Sequence, residues 1–464
     1  MKKRIFLSIA FALLLSGCDD FLGIKPKGSL IPESDKDFEY MLNYAQLLKT
    51  GESYPAFLTD DAYLPLTSTN MVLQGFNSST PDRKNAYSFQ KDIFADSDVD
   101  PLWEYSYQRL YYYNTVINWA DGSSDLSEKG KSIRAEALVG RALEYLYLVN
   151  GYGKHYTPET AGSDLAVPII TEDLASQPPK ARATVQEVYD LIRSDLDKAI
   201  PDLPVRPVLN AFRASKPAAY GLLARTYLYM GDYAKALKNA NEVLKLNAAL
   251  LDYNTLVANP EALGMNMVDM PVPKDNPESI YARTAPYSLG NAFGVFPSQS
   301  LESIFDKEND LRWQHVFAHK FQIYYTSPEP IYMPGWEINL GVTTPEIYLI
   351  AAESEARVGN PQRALELINT LRKNRLSKYT PLASSDKSQI LKWVLEERRR
   401  EFAEVGLFRL IDLKRLAKDP ENAVTFTRTL GEKTWTITPG DPRLVLPIPG
   451  KIMLKNPLLV QNER

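Results

Sequence analysis

The sequence contains very little cysteine and histidine, and it has no excess of basic residues. A single cysteine among 464 residues excludes an intramolecular disulfide and a cluster of thiolate metal ligands. The 53 lysines and arginines are outnumbered by 57 aspartates and glutamates, which gives a formal net charge of −4. Because nucleic-acid binding normally requires a basic surface, this balance argues against a nucleic-acid partner.

Long hydrophobic runs are also absent, apart from a short one at the N-terminus. A basic start, residues 2–4, precedes residues 5–15, which are apolar except for Ser8. This stretch is shorter than the roughly 20 apolar residues that cross a bilayer, so residues 1–17 are predicted to be a signal peptide. The lone cysteine, Cys18, closes a Leu-Ser-Gly-Cys motif that resembles a lipoprotein processing site. The resemblance implies lipidation of Cys18 and anchoring by acyl chains; an ordinary secretory signal is the alternative.

The rest of the chain divides into a tether, helical segments and an insertion. Residues 18–35 mix charges, proline and glycine, which predicts an extended lipidated tether. Apolar residues recur at helical spacing in three segments, near 102–150, 184–246 and 344–417. The segment near 250–342 is rich in proline, asparagine, glycine and aromatics, and it is too long for a structureless linker. We therefore predict a mainly α fold in which residues 36–464 form a single unit with a loop-rich insertion.

Two of the helical segments share one layout. Residues 215–246 and 344–372 each contain two helices, joined at Gly231-Asp232 and Gly359-Asn360, with alanines on the facing sides. This layout is similar to a tetratricopeptide repeat, in which small residues let two helices approach closely. The two turns lie 128 positions apart, so the repeats are predicted to be interrupted rather than tandem.

The helical pattern also predicts the environment of two further groups of residues. Aromatic residues at helical spacing are predicted to belong to the core, namely Trp103, Tyr107, Tyr111 and Tyr145. The charged run Glu396–Glu401 is predicted to form mainly ion pairs on a helix surface, with some charges buried.

Several segments together resemble one family. They are Cys18–Leu22 at the start, Ala135–Ala142 with the following Asn150–Gly153, Glu397–Phe402 with Asp412–Arg415, and Leu446–Pro449 near the end. In this order they resemble the SusD/RagB-like nutrient-binding lipoproteins of Gram-negative outer membranes. One departure is Phe408-Arg409-Leu410-Ile411, where the family often carries Arg-Trp before Asp-Leu.

The resemblance implies a fold, a location and a function. It implies tetratricopeptide-like helix pairs that carry an irregular ligand-binding region, on a lipoprotein of the outer membrane that faces the cell surface. It further implies capture of a nutrient oligomer, an oligosaccharide in the first place, and delivery to a TonB-dependent transporter of the SusC type. No catalysis and no cofactor are implied. A peptide-binding lipoprotein of the same family and a periplasmic scaffold without a ligand remain alternatives.

The resemblance implies that the ligand surface is built from the early loops and the insertion near 260–340. Within these regions, loop aromatics and polar residues are the candidates, because sugar rings stack on aromatic faces and polar side chains bind their hydroxyls. The predicted ligand-binding residues are Tyr63, Arg83, Asn85, Tyr87, Tyr287, Asn291, Phe293, Tyr332 and Trp336. A wider set of loop residues with the same chemistry comprises Asp61, Phe89, Tyr281, Arg283, Tyr324 and Tyr325.

Other sites are disfavoured by the residue pattern. His315 and His319 have the spacing of metal ligands on one helical face, but no metalloprotease glutamate lies between them. Residues 306–310 alternate acids like the start of a calcium loop, yet Leu311 replaces the required glycine. Neither a nucleophile elbow nor a phosphate-binding loop occurs. We therefore expect neither a metal site nor a catalytic residue.

Overall fold

The computed structural model describes residues 32–464 except for 33, 68–74, 174–177, 258–267, 269, 286–295, 322–324 and 333–337. The predicted signal peptide, Cys18 and almost all of the predicted tether lie outside the described residues. No described helix is both long and apolar enough to cross a membrane.

The described residues form helices joined by short strands and loops. The helices of the first half are α1 (Asp35–Leu42), α2 (Pro81–Tyr87), α3 (Pro101–Gly122), α4 (Glu128–Tyr152), α5 (Val185–Ala199), α6 (Lys216–Met230) and α7 (Tyr233–Leu246). Those of the second half are α8 (Gln299–Glu302), α9 (Leu311–Val316), α10 (Thr344–Val358), α11 (Pro361–Lys373), α12 (Lys387–Glu401), α13 (Phe408–Arg415) and α14 (Gly450–Lys455). Short 3₁₀ helices span Ala45–Leu48, Tyr54–Leu58, Phe76–Ser78, Ile200–Asp202, Tyr253–Thr255 and Pro442–Leu444.

The described strands are short and pair only in twos. They are β1 (Ala62–Tyr63), β2 (Ser279–Tyr281), β3 (Phe296–Pro297), β4 (Phe317–Phe321), β5 (Tyr325–Tyr332), β6 (Val342–Thr343), β7 (Phe426–Leu430) and β8 (Lys433–Ile437). The antiparallel pairs are β1 with β3, β2 with β6, β4 with β5 and β7 with β8. The mainly α prediction is confirmed.

Helices α3 and α4 form the first close pair. Asp100 caps α3 by accepting from the Leu102 amide, and Ser127 caps α4 by accepting from the Gly130 amide. Inside the pair, a Cβ at Gly140 would overlap the ring of Tyr113. A glycine at this position therefore allows the two helices to approach closely.

The repeat-like layout predicted from sequence is confirmed. Gly231 ends α6 in the left-handed conformation, with φ of +75°, and Asp232 caps α7. Asn360 caps α11 in the second pair, where its side chain accepts from the Gln362 amide, and α10 follows Thr343. Helices α7 and α10 pack against each other, so pairs that are far apart in sequence are neighbours in space.

Of the four aromatic residues predicted to belong to the core, some are buried and one is exposed. Trp103 and Tyr145 are buried, and Tyr107 is half-buried with its hydroxyl donating to the Pro168 carbonyl. Tyr111 is 37 % exposed, so its assignment to the core is wrong. It lies one position before the half-buried Tyr112 on the outward side of α3, where periodicity alone does not fix the boundary of the buried face.

The charged run on α12 is buried far more than predicted. Glu397, Arg398 and Arg400 are all buried, because α12 packs against α10 and α11 on one side and near the insertion on the other. We call the buried group Glu278, Arg312, Arg375, Glu397 and Glu401 the ion network. Burial alone would raise the pKa of Glu397, but Arg312 and Arg400 outweigh it and lower that pKa.

The C-terminal region holds elements that the sequence analysis missed. The hairpin of β7 and β8 runs in register from Phe426 opposite Ile437 to Leu430 opposite Lys433. The segment 443–464 contains α14 and the end of a 3₁₀ helix. Gly406 separates α12 from α13 with φ of +50°, in the left-handed region that favours glycine.

Candidate functional site

A short antiparallel ladder joins the early loops to the insertion. Ala62 of β1 pairs with Pro297 of β3, and Tyr63 pairs with Phe296. Ser298 extends the contact: its amide donates to the Asp61 carbonyl at 2.6 Å, and its hydroxyl donates to the Asp60 carbonyl at 2.6 Å. We call β1, β3 and residues 298–300 the ladder region. It connects the two parts of the chain that were expected to supply ligand contacts.

Two arginines from the C-terminal motif region bind Asp60 and Asp61, the two residues that precede β1. Arg409 donates to both carboxylate oxygens of Asp60, each at 2.7 Å, and Arg399 donates from Nε to Asp61 at 2.7 Å. Arg399 also donates to the hydroxyl of Ser300 at 3.2 Å. The same guanidinium therefore contacts both sides of the ladder region and fixes their relative position.

The pKa values of Asp60 and Asp61 are shifted in opposite directions. Burial opposes ionisation of Asp60, but Arg409 and Arg399 outweigh it and lower the pKa of Asp60 to about 2. Burial dominates for Asp61, whose pKa is raised, with the neighbouring Asp60 charge acting in the same direction. The two arginines therefore favour the charged form of Asp60 more strongly than that of Asp61.

Glu404 lies close to this pair in an unusual backbone conformation. Its φ of +59° is in the left-handed region, which it shares with Phe89 among the described non-glycine residues. Its buried carboxylate oxygens have no hydrogen-bond partner among the described residues. Burial, followed by the charge of Asp61, raises the pKa of Glu404 well above its ordinary value. Strained, buried acids of this kind cluster at functional sites.

Tyr63 gives the ladder region an exposed aromatic ring. Its side chain is 39 % exposed, and its ring centroid lies 6.4 Å from that of the buried Phe296, with the planes inclined by 65°. An aromatic ring that is fixed on one side and open to solvent on the other is the geometry that stacks on a sugar ring. Of the predicted ligand residues, Tyr63 is the one whose described surroundings fit ligand contact best.

The other predicted residues of the early loops contact the protein itself. Arg83 is buried, with its guanidinium 5.7 Å from the centroid of Phe57, and Asn85 donates to the Ile93 carbonyl at 3.0 Å. Tyr87 is also buried, and its hydroxyl accepts from the Leu64 amide at 3.0 Å. Tyr87 thus supports the loop that carries Tyr63, Arg83 lies in the interior, and the half-buried Asn85 binds the backbone at Ile93.

The predicted residues of the insertion fall largely outside the description. Tyr287, Asn291, Phe293, Trp336 and, from the wider set, Tyr324 lie outside the described residues. The backbone of Tyr332 is described at the end of β5, opposite Phe317 in the ladder with β4, and that of Tyr325 lies at the start of β5. Ligand contact by these residues stays a prediction.

In the wider set, Tyr281 and Arg283 are buried against each other, with the guanidinium 4.0 Å from the ring centroid. They belong to the interior beside β2 rather than to an exposed surface.

Sequence reasoning missed Arg428 on the hairpin of β7 and β8. Its guanidinium is buried, lies 3.8 Å from the ring centroid of Tyr87, and donates to the carbonyls of Phe57 and Thr59. It therefore links the hairpin to the loop before β1. Arg399 and Arg409 were visible within the quoted C-terminal motif, but no local signal connects any of the three arginines to residues more than 300 positions away.

Metal binding has no support in the described geometry. Within the described ranges, no group of three or more histidine, cysteine or acidic residues could hold a metal ion. His315 belongs to α9 and His319 to β4, so the two do not lie on one helical face.

A separate large cavity lies away from the ladder region. It has a volume of about 830 Å³ and is bounded by residues 154–165, the end of α13 with the residues after it, and the C-terminal segments 439–445 and 461–463. Its size falls in the range of small-molecule sites, about 300 to 1,000 Å³. No residue predicted from sequence to bind ligand lines it.

Family models match both ends of the described chain. Residues 20–228 match a SusD-like model described as "Starch-binding associating with outer membrane", and residues 344–464 match the model of the SusD family. Together these two matches cover more than two thirds of the chain.

Curated relatives come from Formosa agariphila. SusD-like protein P2 is 29% identical over 261 residues, which cover 53% of this chain and 47% of that protein. The chain thus matches about half the length of this relative. SusD-like protein P38 is 22% identical, with 100% of this chain and 99% of that protein covered.

Solved structures share the fold at low sequence identity. A SusD superfamily protein from Bacteroides thetaiotaomicron has a TM-score of 0.71 at 20% identity, covering 93% of this chain and 100% of its own. A SusD-like carbohydrate binding protein from Bacteroides vulgatus has 0.63 at 19%, covering 92% and 98%. A laminarin binding SusD-like protein has 0.64 at 18%, covering 93% and 99%. The two family models, the relatives and the shared fold lead to one conclusion: the chain belongs to the SusD/RagB-like family.

Proposed function

We propose that this chain is a lipid-anchored, non-enzymatic binding protein of the cell surface. It captures an oligosaccharide and delivers it to a TonB-dependent transporter of the SusC type. In this proposal residues 36–464 act as one unit, Cys18 carries the lipid, and residues 18–35 form the tether. The association of the family with the outer membrane supports the location.

The observation that carries the proposal is the ladder region with its exposed Tyr63. The region joins the early loops to the insertion, and the ion pairs of Asp60 and Asp61 with Arg409 and Arg399 fix it on the helical scaffold. A rigid support keeps the aromatic ring in place, so less conformational entropy is lost when a ligand binds.

Related proteins support a glycan as the ligand. One structural neighbour binds laminarin and another is described as carbohydrate binding, while one family model is described as starch-binding. A modest affinity for the free glycan would suffice, because a lipid anchor raises the effective concentration of the complex at the transporter.

Calorimetry of the chain from Asp19 onward tests the proposal. The titrants are laminarin, starch and other polysaccharides, together with peptide digests. Saturable binding of a glycan but not of peptides is expected. Binding of peptides alone would replace the proposal with the peptide-binding alternative of the same family.

The transporter partnership needs its own experiment. The tagged full chain is extracted from native membranes in mild detergent, and co-purifying proteins are identified. The expected partner is a TonB-dependent barrel in stoichiometric amount. If the membranes contain a TonB-dependent barrel but the chain is recovered without it, the partnership is contradicted. Glycan capture is tested separately by the calorimetry and is not affected by that result.

A further inference from the structure

The floor of the 830 Å³ cavity carries a buried lysine with an unusual set of partners. Lys414 is only 8 % exposed, and its ammonium donates to the carbonyls of Asn150 and Gly153 at 2.6 and 2.7 Å. These carbonyls lie at the C-terminal end of α4, where a cation is favoured. The two bonds use two of the three N–H donors of an ammonium group, so a third donor remains for a ligand.

A second buried cation stands at the same cavity. The guanidinium of Arg182 donates to the carbonyls of Tyr152, Leu165, Ala166 and Val460, at 2.7 to 3.0 Å. Its described hydrogen bonds therefore all go to neutral acceptors. Two buried positive charges that are held by carbonyl groups create a positive field in the cavity.

His155 adds a polar atom that has no partner within the described part of the chain. Its Nδ1 is buried and makes no hydrogen bond to any described residue. Burial first, and then the charges of Lys414, Arg415 and Lys418, lower the pKa of His155 to about 3. His155 is therefore a neutral side chain that can share a hydrogen bond with a ligand.

The acidic residues of the lining do not cancel this field at the floor. Asp164 is bonded to Lys154 at 3.0 Å and Asp441 to Arg443 at 2.6 Å, while Glu159 and Glu463 are exposed. Arg415 is neutralised by Glu353, to which it donates at 2.6 Å. Among the described residues, the positive charges of the lining that have no carboxylate partner therefore belong to Lys414 and Arg182 beneath the cavity, and to the exposed Lys418.

We propose that this cavity binds a small organic anion, about the size of one or two sugar rings, whose carboxylate lies against Lys414 and His155. The volume, the two buried cations and the unpartnered imidazole nitrogen carry the proposal. The site lies apart from the ladder region, so it is a second binding site and does not depend on the proposed capture of a glycan.

The first test uses the histidines as reporters. The chain has three, so the imidazole signals of the purified full chain can be resolved by NMR, and His155→Gln assigns one of them. The titration is run with glucuronate at pH 6, where Lys414, with its pKa lowered by burial to about 7, is charged. Glucose, which lacks the carboxylate, is the control. We expect a saturable shift of the His155 signal with glucuronate and none with glucose. Equal shifts with both sugars, or none with either, would overturn the proposal.

The second test locates the anion by charge reversal at the rim. Lys418→Glu changes an exposed lysine of the lining, so folding should be preserved, and glucuronate should bind about fivefold more weakly. Lys392→Glu changes an exposed lysine of α12 that does not line the cavity, and it should leave the affinity unchanged. Equal effects of the two variants would contradict the assignment to this cavity. Tyr63→Ala should not alter glucuronate binding, and a loss there would move the anion to the ladder region.

Discussion

The helical scaffold and the ladder region are held together in different ways. In the scaffold, glycine and alanine residues leave room for neighbouring helices to pack closely. Gly140 does so against Tyr113, and Ala236 does so within the α6–α7 pair. In the ladder region, buried arginines join segments that are more than 300 positions apart, as Arg409 does with Asp60. Buried ion pairs also join scaffold helices, as Arg225 of α6 does with Glu346 of α10 at 2.6 Å. The scaffold therefore combines close helix packing with buried charges, whereas the two short strands of the ladder region depend mainly on charges for their position.

The largest expected effect comes from breaking the ion network that joins the insertion to the scaffold. Glu401 accepts from Arg312 at 2.8 Å and from Arg375 at 2.9 Å, with all three side chains buried. Glu401→Ala removes one carboxylate partner from each of two buried guanidinium groups, which then keep, among the described residues, only Asp310 and Glu397 on Arg312 and Glu278 on Arg375. Because two buried ion pairs are broken at once, we expect a loss of about 3 to 5 kcal/mol in the free energy of unfolding, measured by denaturant titration.

An exposed ion pair serves as the control for that variant. Glu366 pairs with Arg363, and both side chains are more than half exposed. Glu366→Ala should change the unfolding free energy by less than about 0.5 kcal/mol. Similar losses for the two variants would show that burial does not distinguish the network.

A pH-dependent effect of intermediate size is expected in the early loops. Burial raises the pKa of Glu52 to about 8, although the charge of Arg109 opposes the shift. The folded chain therefore binds a proton more tightly than the unfolded chain, and stability falls as the pH rises from about 4.5 towards 8. Relative to Glu52→Gln, the native chain should lose on the order of 3 kcal/mol between pH 4.5 and 7. Parallel pH profiles of the two proteins would contradict this reading.

A smaller effect is expected from overpacking the scaffold. Gly140→Ala places a Cβ against the ring of Tyr113, which should cost about 2 kcal/mol of unfolding free energy. Gly122→Ala is the matched control, because a Cβ there meets no atom within 4 Å. Thermal unfolding of the two variants should separate them, and a neutral Gly140→Ala would mean that the α3–α4 contact is looser than described.

The smallest effect on stability is expected at the surface of the ladder region. Tyr63→Ala removes a ring that is 39 % exposed, so the unfolding free energy should change by about 1 kcal/mol or less. The same change should reduce glycan affinity by about tenfold, since a stacked aromatic ring contributes roughly 1.4 kcal/mol to binding. A site built on a rigid support can thus lose its ligand without losing its fold.

Much of the scaffold could be predicted from the sequence because its signals are local. The turn at Gly231 and the capping box of Thr184 with Glu187 each depend on residues that are close together in sequence, and both are present in the structure. Tyr111 shows the limit of this reasoning, since apolar spacing does not settle which residue at the edge of a helical face is buried.

The site was predictable only as two regions. Nothing local in the sequence indicates that Tyr63 pairs with Phe296, or that Arg428 is buried against Tyr87, because both contacts depend on the tertiary packing. The run Glu396–Glu401 was predicted to form mainly surface ion pairs with some charges buried. More of it is buried, because burial on α12 depends on the helices packed against it and not on the charged run itself.

The most direct test of glycan capture compares two exposed tyrosines by calorimetry with a glycan that binds the native chain. Tyr63 lies in the ladder region, whereas Tyr105 lies on α3 and is similarly exposed, at 41 %. The account predicts that Tyr63→Ala weakens binding by about tenfold and that Tyr105→Ala leaves it unchanged. Unchanged affinity in Tyr63→Ala, with the variant fully folded, would contradict the assignment of the ladder region as the capture site.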